Sequence, residues 1–296
     1  MAAKQLKVTD ILERVQELPT LPAIVYEIRA VIDNPMSSTA DVEKVMENDP
    51  SLTTKVLKLV NSAYYSIPGG VTQLSRAIAY LGFDTVHQLV LSASIIDTLK
   101  TEHNPNFNIA DFWKHSLGAA IASETIANFV KYPVPADLFT CGLVHDIGKI
   151  ALYTIDSELM MNVIEKAYDE KITYLESEKA LGIPTHTHIG FALAQKWKLP
   201  MGFQSVVKYH HHKTLTERES MSSDLHLMID IVYLGNLLSH ALKFGNSGHP
   251  VIHGAPKEVL NRLSLDSPDK FRILLQLVKN QIEHADSFLD ILGARS

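Results

Sequence analysis

Apolar residues along this chain recur at three- and four-residue intervals, the period of one face of an α-helix. Leu52, Val56, Leu59 and Val60 follow Asp49-Pro50, which reads as a cap and a proline at the first helical position. Ser38-Thr39-Ala40-Asp41 resembles a capping box with Asp in place of Glu. Thr9 reads as the cap of a helix over 11–18. Ala77, Ile78 and Leu81 lead to Gly82, a helix closed by a C′ glycine. Asp84 is placed to cap the next one, through Val86, Leu89, Val90, Ala93 and Ile96. Asn108 is placed to cap a helix with Phe112, His115, Ala119 and Ala122. A further helix is predicted through Leu138, Leu143 and Ile150, with His145-Asp146 inside it. Pro200 starts another, ending near His210-His211-His212. Gly245-Asn246-Ser247-Gly248-His249-Pro250 reads as a loop. Alternation at period two is rare, so the expected fold is all-α.

The polar stretch at 101–106 is the best internal boundary. It predicts two helical subdomains, 1–102 and 106–296, docked against one another because apolar surfaces flank a short linker. The earlier half shows short helices with no evident chemistry; the later one carries most of the histidines. Hydrophobic residues make up 46% and charged residues 20%, the balance of a globular chain with ample core. The formal charge of -6, with no basic block, argues against unaided nucleic-acid binding. No apolar run suggests a signal peptide or a membrane span, and the single cysteine, Cys141, suits a reducing cytosol. A cytoplasmic location with no membrane partner is therefore expected. Cys141, Trp113 and Trp197 sit in apolar contexts and read as core residues.

The densest chemistry is His145-Asp146-Ile147-Gly148-Lys149, with His115 before it and His186, His188 and His210-His211-His212 after it. Imidazole nitrogens and carboxylate oxygens suit iron, zinc, manganese or nickel, and the lack of thiolates argues against a structural zinc knot. A His-Asp pair alone is more often a surface or hydrogen-bonded pair than a ligand pair. His188 should face away from His186 at a helix start, and His212 should point to solvent, because consecutive helical side chains differ by about 100°. His87, His103, His226, His240, His249, His253 and His284 read as structural or exposed.

Several ordered motifs resemble the HDOD family, relatives of the HD metal-dependent phosphohydrolases. They are Leu18-Pro19-Thr20-Leu21-Pro22, Asp49-Pro50-Ser51-Leu52, Leu59-Val60-Asn61-Ser62-Ala63-Tyr64-Tyr65 and Ala77-Ile78-Ala79-Tyr80-Leu81-Gly82. The second half adds Gly142-Leu143-Val144 running into His145-Asp146-Ile147-Gly148-Lys149, then Trp197-Lys198-Leu199-Pro200 and His210-His211. The likeness runs from Leu18 to Asn236. It implies an all-helical fold and a role in bacterial signalling, in a family where many members are thought to have lost catalysis and to act as interaction modules. It also implies a ligand set: His115, His145 and Asp146, with His186, His210 and His211 as in two-metal relatives. The final aspartate of the HD pattern is matched here by Asn236, a neutral and weaker ligand. Asp230 lies almost two turns earlier and would substitute only in another register. Lys149 would sit near a phosphate by the same motif, or would be an ordinary solvated lysine.

Two classes of function follow. One is a non-catalytic signalling module working through separate protein partners, with a mono- or dinuclear transition-metal site retained. The other is a metal-dependent phosphohydrolase or cyclic dinucleotide phosphodiesterase. The Asn at 236 favours the first.

Overall fold

The computed structural model describes residues 8–100 and 107–292. Its elements are α1 (Val8–Val15), α2 (Ala23–Ile32), α3 (Thr39–Met46), α4 (Pro50–Val60) and α5 (Leu74–Thr98), then α6 (Ile109–Phe129), α7 (Pro135–Val144) and α8 (Ile147–Ile155). They continue with α9 (Ser157–Asp169), α10 (Tyr174–Leu181), α11 (His186–Lys196), α12 (Met201–Tyr209) and α13 (Ser223–Ala241). Last come α14 (Lys257–Arg262), α15 (Pro268–Glu283) and α16 (Asp286–Leu292). No strand occurs among the described residues, so the fold is all-α.

Local chemistry sets several helix starts. Asp49 accepts from the Leu52 amide ahead of Pro50, and Asn108 accepts from the Asp111 amide. Ser38 and Asp41 form the expected capping box. Gly82, at φ 84 and ψ 164, breaks the helical path inside α5, where only a residue without Cβ adopts that backbone readily. Two expectations change. Helix α1 already includes Thr9, which is therefore no cap, and it ends at Val15; Leu18 falls in the following turn because Pro19 disfavours α geometry in the residue before it. The single helix expected through Leu138 and Ile150 is two, α7 and α8, broken at Asp146 (φ -101, ψ 15). The proposed linker at 101–106 lies outside the described residues.

Helix α6 is the centre. It buries Ser116, Gly118, Ala119, Ala120, Ala122 and Ser123, small side chains that let α7 and α13 approach closely on either side. Helix α11 packs on α8 and α12, α5 bridges α4 and α7, and α16 lies against α4, α5 and α6. One latch joins early and late helices through the motif residues themselves. Trp197, fully buried, donates its indole N–H to Pro19 O at 2.9 Å, while its own carbonyl accepts from Tyr26 at 2.9 Å. Lys196 donates to Gln16 O at 2.6 Å and to Leu18 O, capping the end of α1 with a cation. Among the described residues one stretch, Pro135–Ile155, is long and apolar enough to cross a membrane, and 94% of its most apolar window is buried inside the fold, as in a core helix. Cys141 and Trp113 are core residues, as expected.

Candidate metal centre

The break between α7 and α8 places Asp146 at the centre of a buried histidine cluster. Gly148 makes this feasible. A Cβ there would lie 1.8 Å from the His186 carbonyl oxygen, so only glycine lets α8 meet α11 backbone to backbone. That contact brings His186 to the carboxylate of Asp146. His145, His115 and His186 are 0% exposed, and Asp146 and His210 are 1% exposed.

Asp146 faces both ways. Its Oδ1 lies 3.3 Å from His186 Nε2 and 3.4 Å from His210 Nε2; its Oδ2 lies 3.3 Å from His145 Nε2 and 2.7 Å from Lys149 Nζ. Two donor groups share it: Asp146 with His186, His210 and His211, and Asp146 with His115 and His145. In each group the donor atoms lie within 4.8 Å of one another.

The remaining hydrogen bonds fix which nitrogen faces inward. Nδ1 of His145 lies 2.7 Å from Gly142 O, and Nδ1 of His210 lies 3.0 Å from Val207 O. Nδ1 of His186 meets the buried carboxylate of Glu178 at 2.8 Å, whose other oxygen accepts from the His186 amide at 2.6 Å. These acceptors place the proton on Nδ1, an assignment from partners, and leave Nε2 as a lone pair aimed at the centre. His186 Nε2 is 3.4 Å from His210 Nε2 and 2.9 Å from His211 Nε2. Lone pairs at that range repel unless a proton or a metal ion stands between them. Moreover, His115 Nε2, His145 Nε2 and Asp146 Oδ1 are buried without a hydrogen-bond partner. Orphaned atoms of this kind cost on the order of 1–3 kcal/mol each. The donor set fits a divalent transition metal, which would satisfy them together.

The electrostatics agree. Burial holds His115, His186 and His211 well below the usual imidazole range and lowers His210, so all four are neutral, as metal ligation requires. Burial pushes the Asp146 carboxyl up, but Lys149 and His145 outweigh it and hold the group well below the ordinary carboxylate range. Burial also raises Glu178 well above its ordinary range.

Other sequence-predicted residues divide. Lys149 is not a solvated lysine. It is 1% exposed, donates to Asp146 and to Ser247 O at 3.0 Å, and lies over the Tyr174 ring at 4.6 Å. His188 is exposed and turned to Thr185; His212 is half-buried and meets Glu217 O at 2.8 Å. Asn236, 8% exposed, has its Oδ1 buried and unpartnered beside a cleft of about 580 Å³ that His210 and His211 also line. Asp230 is committed elsewhere: Arg218 donates to it at 2.6 Å, and Arg262 grips both of its oxygens at 2.6 and 2.8 Å.

Two contributions were not read from the sequence. Glu178 orients His186 from another helix, and no local pattern marks it. His240 and His249 extend the cluster, with ring centroids 4.3 Å from His115 to His240 and 4.6 Å from His240 to His249. Both line the cleft. The available signal was the spacing of Asn236 and His240, four residues apart on one helix face.

A family model described as the HDOD domain matches residues 18–213. An uncharacterised protein of Treponema pallidum is 23% identical over 280 residues, 93% of this chain and 51% of that one. The chain thus spans about half the length of this curated relative. Among solved structures, an HDOD domain protein of unknown function from Geobacter sulfurreducens is 25% identical, with a TM-score of 0.77 over 96% of this chain and 99% of that one. A Shewanella amazonensis protein provisionally named a phosphohydrolase shares the fold at 21% identity, with a TM-score of 0.69 over 97% and 98% of the two chains. So does a Marinobacter aquaeolei protein provisionally named a signal transduction protein, at 21% identity and a TM-score of 0.72 over 96% and 61%.

Proposed function

Because this chain belongs to the HDOD family, we propose that it is a regulatory helical module that works through protein partners and keeps a transition-metal centre with little hydrolase activity. His115, His145, Asp146, His186, His210 and His211 would hold one or two ions of iron, manganese, nickel or zinc. Bound there, the metal supplies Lewis acidity to a phosphoryl or water oxygen. Glu178 and the carbonyls of Gly142 and Val207 hold the imidazoles in the ligating tautomer.

The pairing of Asp230 carries the reading. Arg218 and Arg262 hold its carboxylate, so α13 offers the cluster the neutral amide of Asn236 and no anion. One carboxylate among five imidazoles leaves a bound cation under-neutralised and its water differently tuned. Lys149, tied to Asp146, is unavailable to a phosphate unless that pair opens. The net charge of -6 disfavours nucleic acid as a direct partner, and the buried lone cysteine suits the cytosol. Signalling proteins are the partners this reading expects.

The cleft beside His210, His211 and Asn236 favours a second reading, a metal-dependent phosphohydrolase or phosphodiesterase, because about 580 Å³ suits a small-molecule ligand. One experiment separates the two: elemental analysis of protein purified without a tag, with hydrolysis assays on cyclic dinucleotides and nucleotides under added manganese, iron, nickel or zinc. The expected result is bound metal without turnover. Robust turnover that Asp146→Ala abolishes would replace the regulator with the enzyme. Metal-free wild-type protein under all four ions would remove the centre.

A further inference from the structure

A second pocket, of about 540 Å³, opens on the side of α6 at the turn between α4 and α5, lined by Tyr64, Tyr65, Glu124, Asn128, Phe129 and Leu277 among others. Asn61 builds the turn. Its amide donates to Val71 O at 2.7 Å and its Oδ1 accepts from the Val71 amide at 2.7 Å, pinning the loop that presents both tyrosines. The rings are held from behind. Tyr64 and Tyr65 meet edge to face at 4.9 Å, and Phe288 of α16 backs them at 6.0 and 6.5 Å.

Glu124 is the charged residue in this lining. Tyr64 donates to its Oε2, and among the described residues no lysine, arginine or histidine pairs with it. Burial therefore pushes its carboxyl up to about 7. Nearby, Thr125 donates to Ile121 O at 2.8 Å and Asn128 donates to the Glu124 carbonyl at 3.0 Å. What the pocket offers is aromatic faces and edges, a carboxylate without a counter-cation, and acceptor oxygens. That set is complementary to a desolvated positive charge, for which ring quadrupole and carboxylate act in the same direction.

We propose that this pocket binds a small organic ammonium ion, with Glu124 as counter-charge and Tyr64 and Tyr65 as the aromatic wall. The site touches the turn after α4, α6 and α15, so its ligand would tie the early helices to the late ones. It is independent of the metal centre and of the reading given to that centre.

Titration calorimetry on the full chain tests it, with propylammonium and tetramethylammonium chlorides as probes and tert-butanol as the uncharged control. Saturable binding of at least one cation below roughly 10 mM is expected, with none for the alcohol. Glu124→Gln should weaken it by about tenfold or more. Gln281→Trp, which fills the pocket from an exposed position, should block binding while leaving the melting temperature unchanged, and so guards against a Glu124 variant that fails to fold. Equal binding by cation and alcohol, unchanged affinity in folded Glu124→Gln, or no saturation by either cation would each overturn the proposal.

Discussion

Helix α4 buries Leu52, Val56, Leu59 and Val60 and nothing polar. Helix α8, of similar length, buries Lys149 and follows directly on buried His145 and Asp146. The first pattern recurs through α1–α5, where the inward faces are mostly aliphatic. The second fills the space between α6, α8, α11, α12 and α13 with imidazoles and carboxylates, among which His115 Nε2, His145 Nε2 and Asp146 Oδ1 lack protein partners. Apolar burial stabilises a helix wherever it packs. A polar cluster of this kind stabilises only when a cation completes it, so one region should be indifferent to metal and the other should depend on it.

The sharpest way to break that contrast is Asp146→Ala. Asp146 faces both donor groups, so metal content should fall from near stoichiometric to below about one-fifth, and the melting temperature of the metal-loaded protein should drop toward that of the metal-free form. Full occupancy by elemental analysis would rule out the site as drawn. Trp197→Ala acts on the latch instead. Losing a fully buried indole should cost about 3–5 kcal/mol in denaturant unfolding, equally with and without metal. A cost that appears only in the loaded protein would mean the latch serves the centre.

The pH response sharpens the same comparison from the early helices. His87 is 4% exposed, and burial lowers its pKa to about 4. A folded-state pKa below the unfolded value of about 6.5 means the unfolded chain takes up the proton first. The stability is present above about pH 6.5 and is lost as pH falls toward 4, by about 3 kcal/mol. His87→Leu should flatten that slope in chemical denaturation followed against pH, whether or not metal is bound. An unchanged slope would mean that His87 is not the group responsible.

Smaller effects probe the supports. Glu178→Gln keeps the shape but weakens the hold on His186, and should cost about 10–100-fold in metal affinity by competition with a chelator. Asn236→Asp should tighten metal by less than about tenfold. Hydrolysis gained by that variant would show that one side chain separates this protein from a catalyst.

The helices and their caps were legible because each rests on a few neighbouring residues: Asp49 with the Leu52 amide, Ser38 with Asp41, Asn108 with the Asp111 amide. So was the family, because its motifs survive in order. His115, His145, Asp146, His186, His210 and His211 were named from the sequence, and the fold gathers all of them. Tertiary structure alone decided the rest. Gly148 admits the close approach of α8 to α11 that sets His186 against Asp146. Arg218, 12 residues before Asp230, and Arg262, 32 residues after it, remove that carboxylate from the centre. Glu178, eight residues before His186 and across a turn, chooses its tautomer. Caps and periodicity are local properties of the chain, while coordination and charge pairing depend on which helix faces meet.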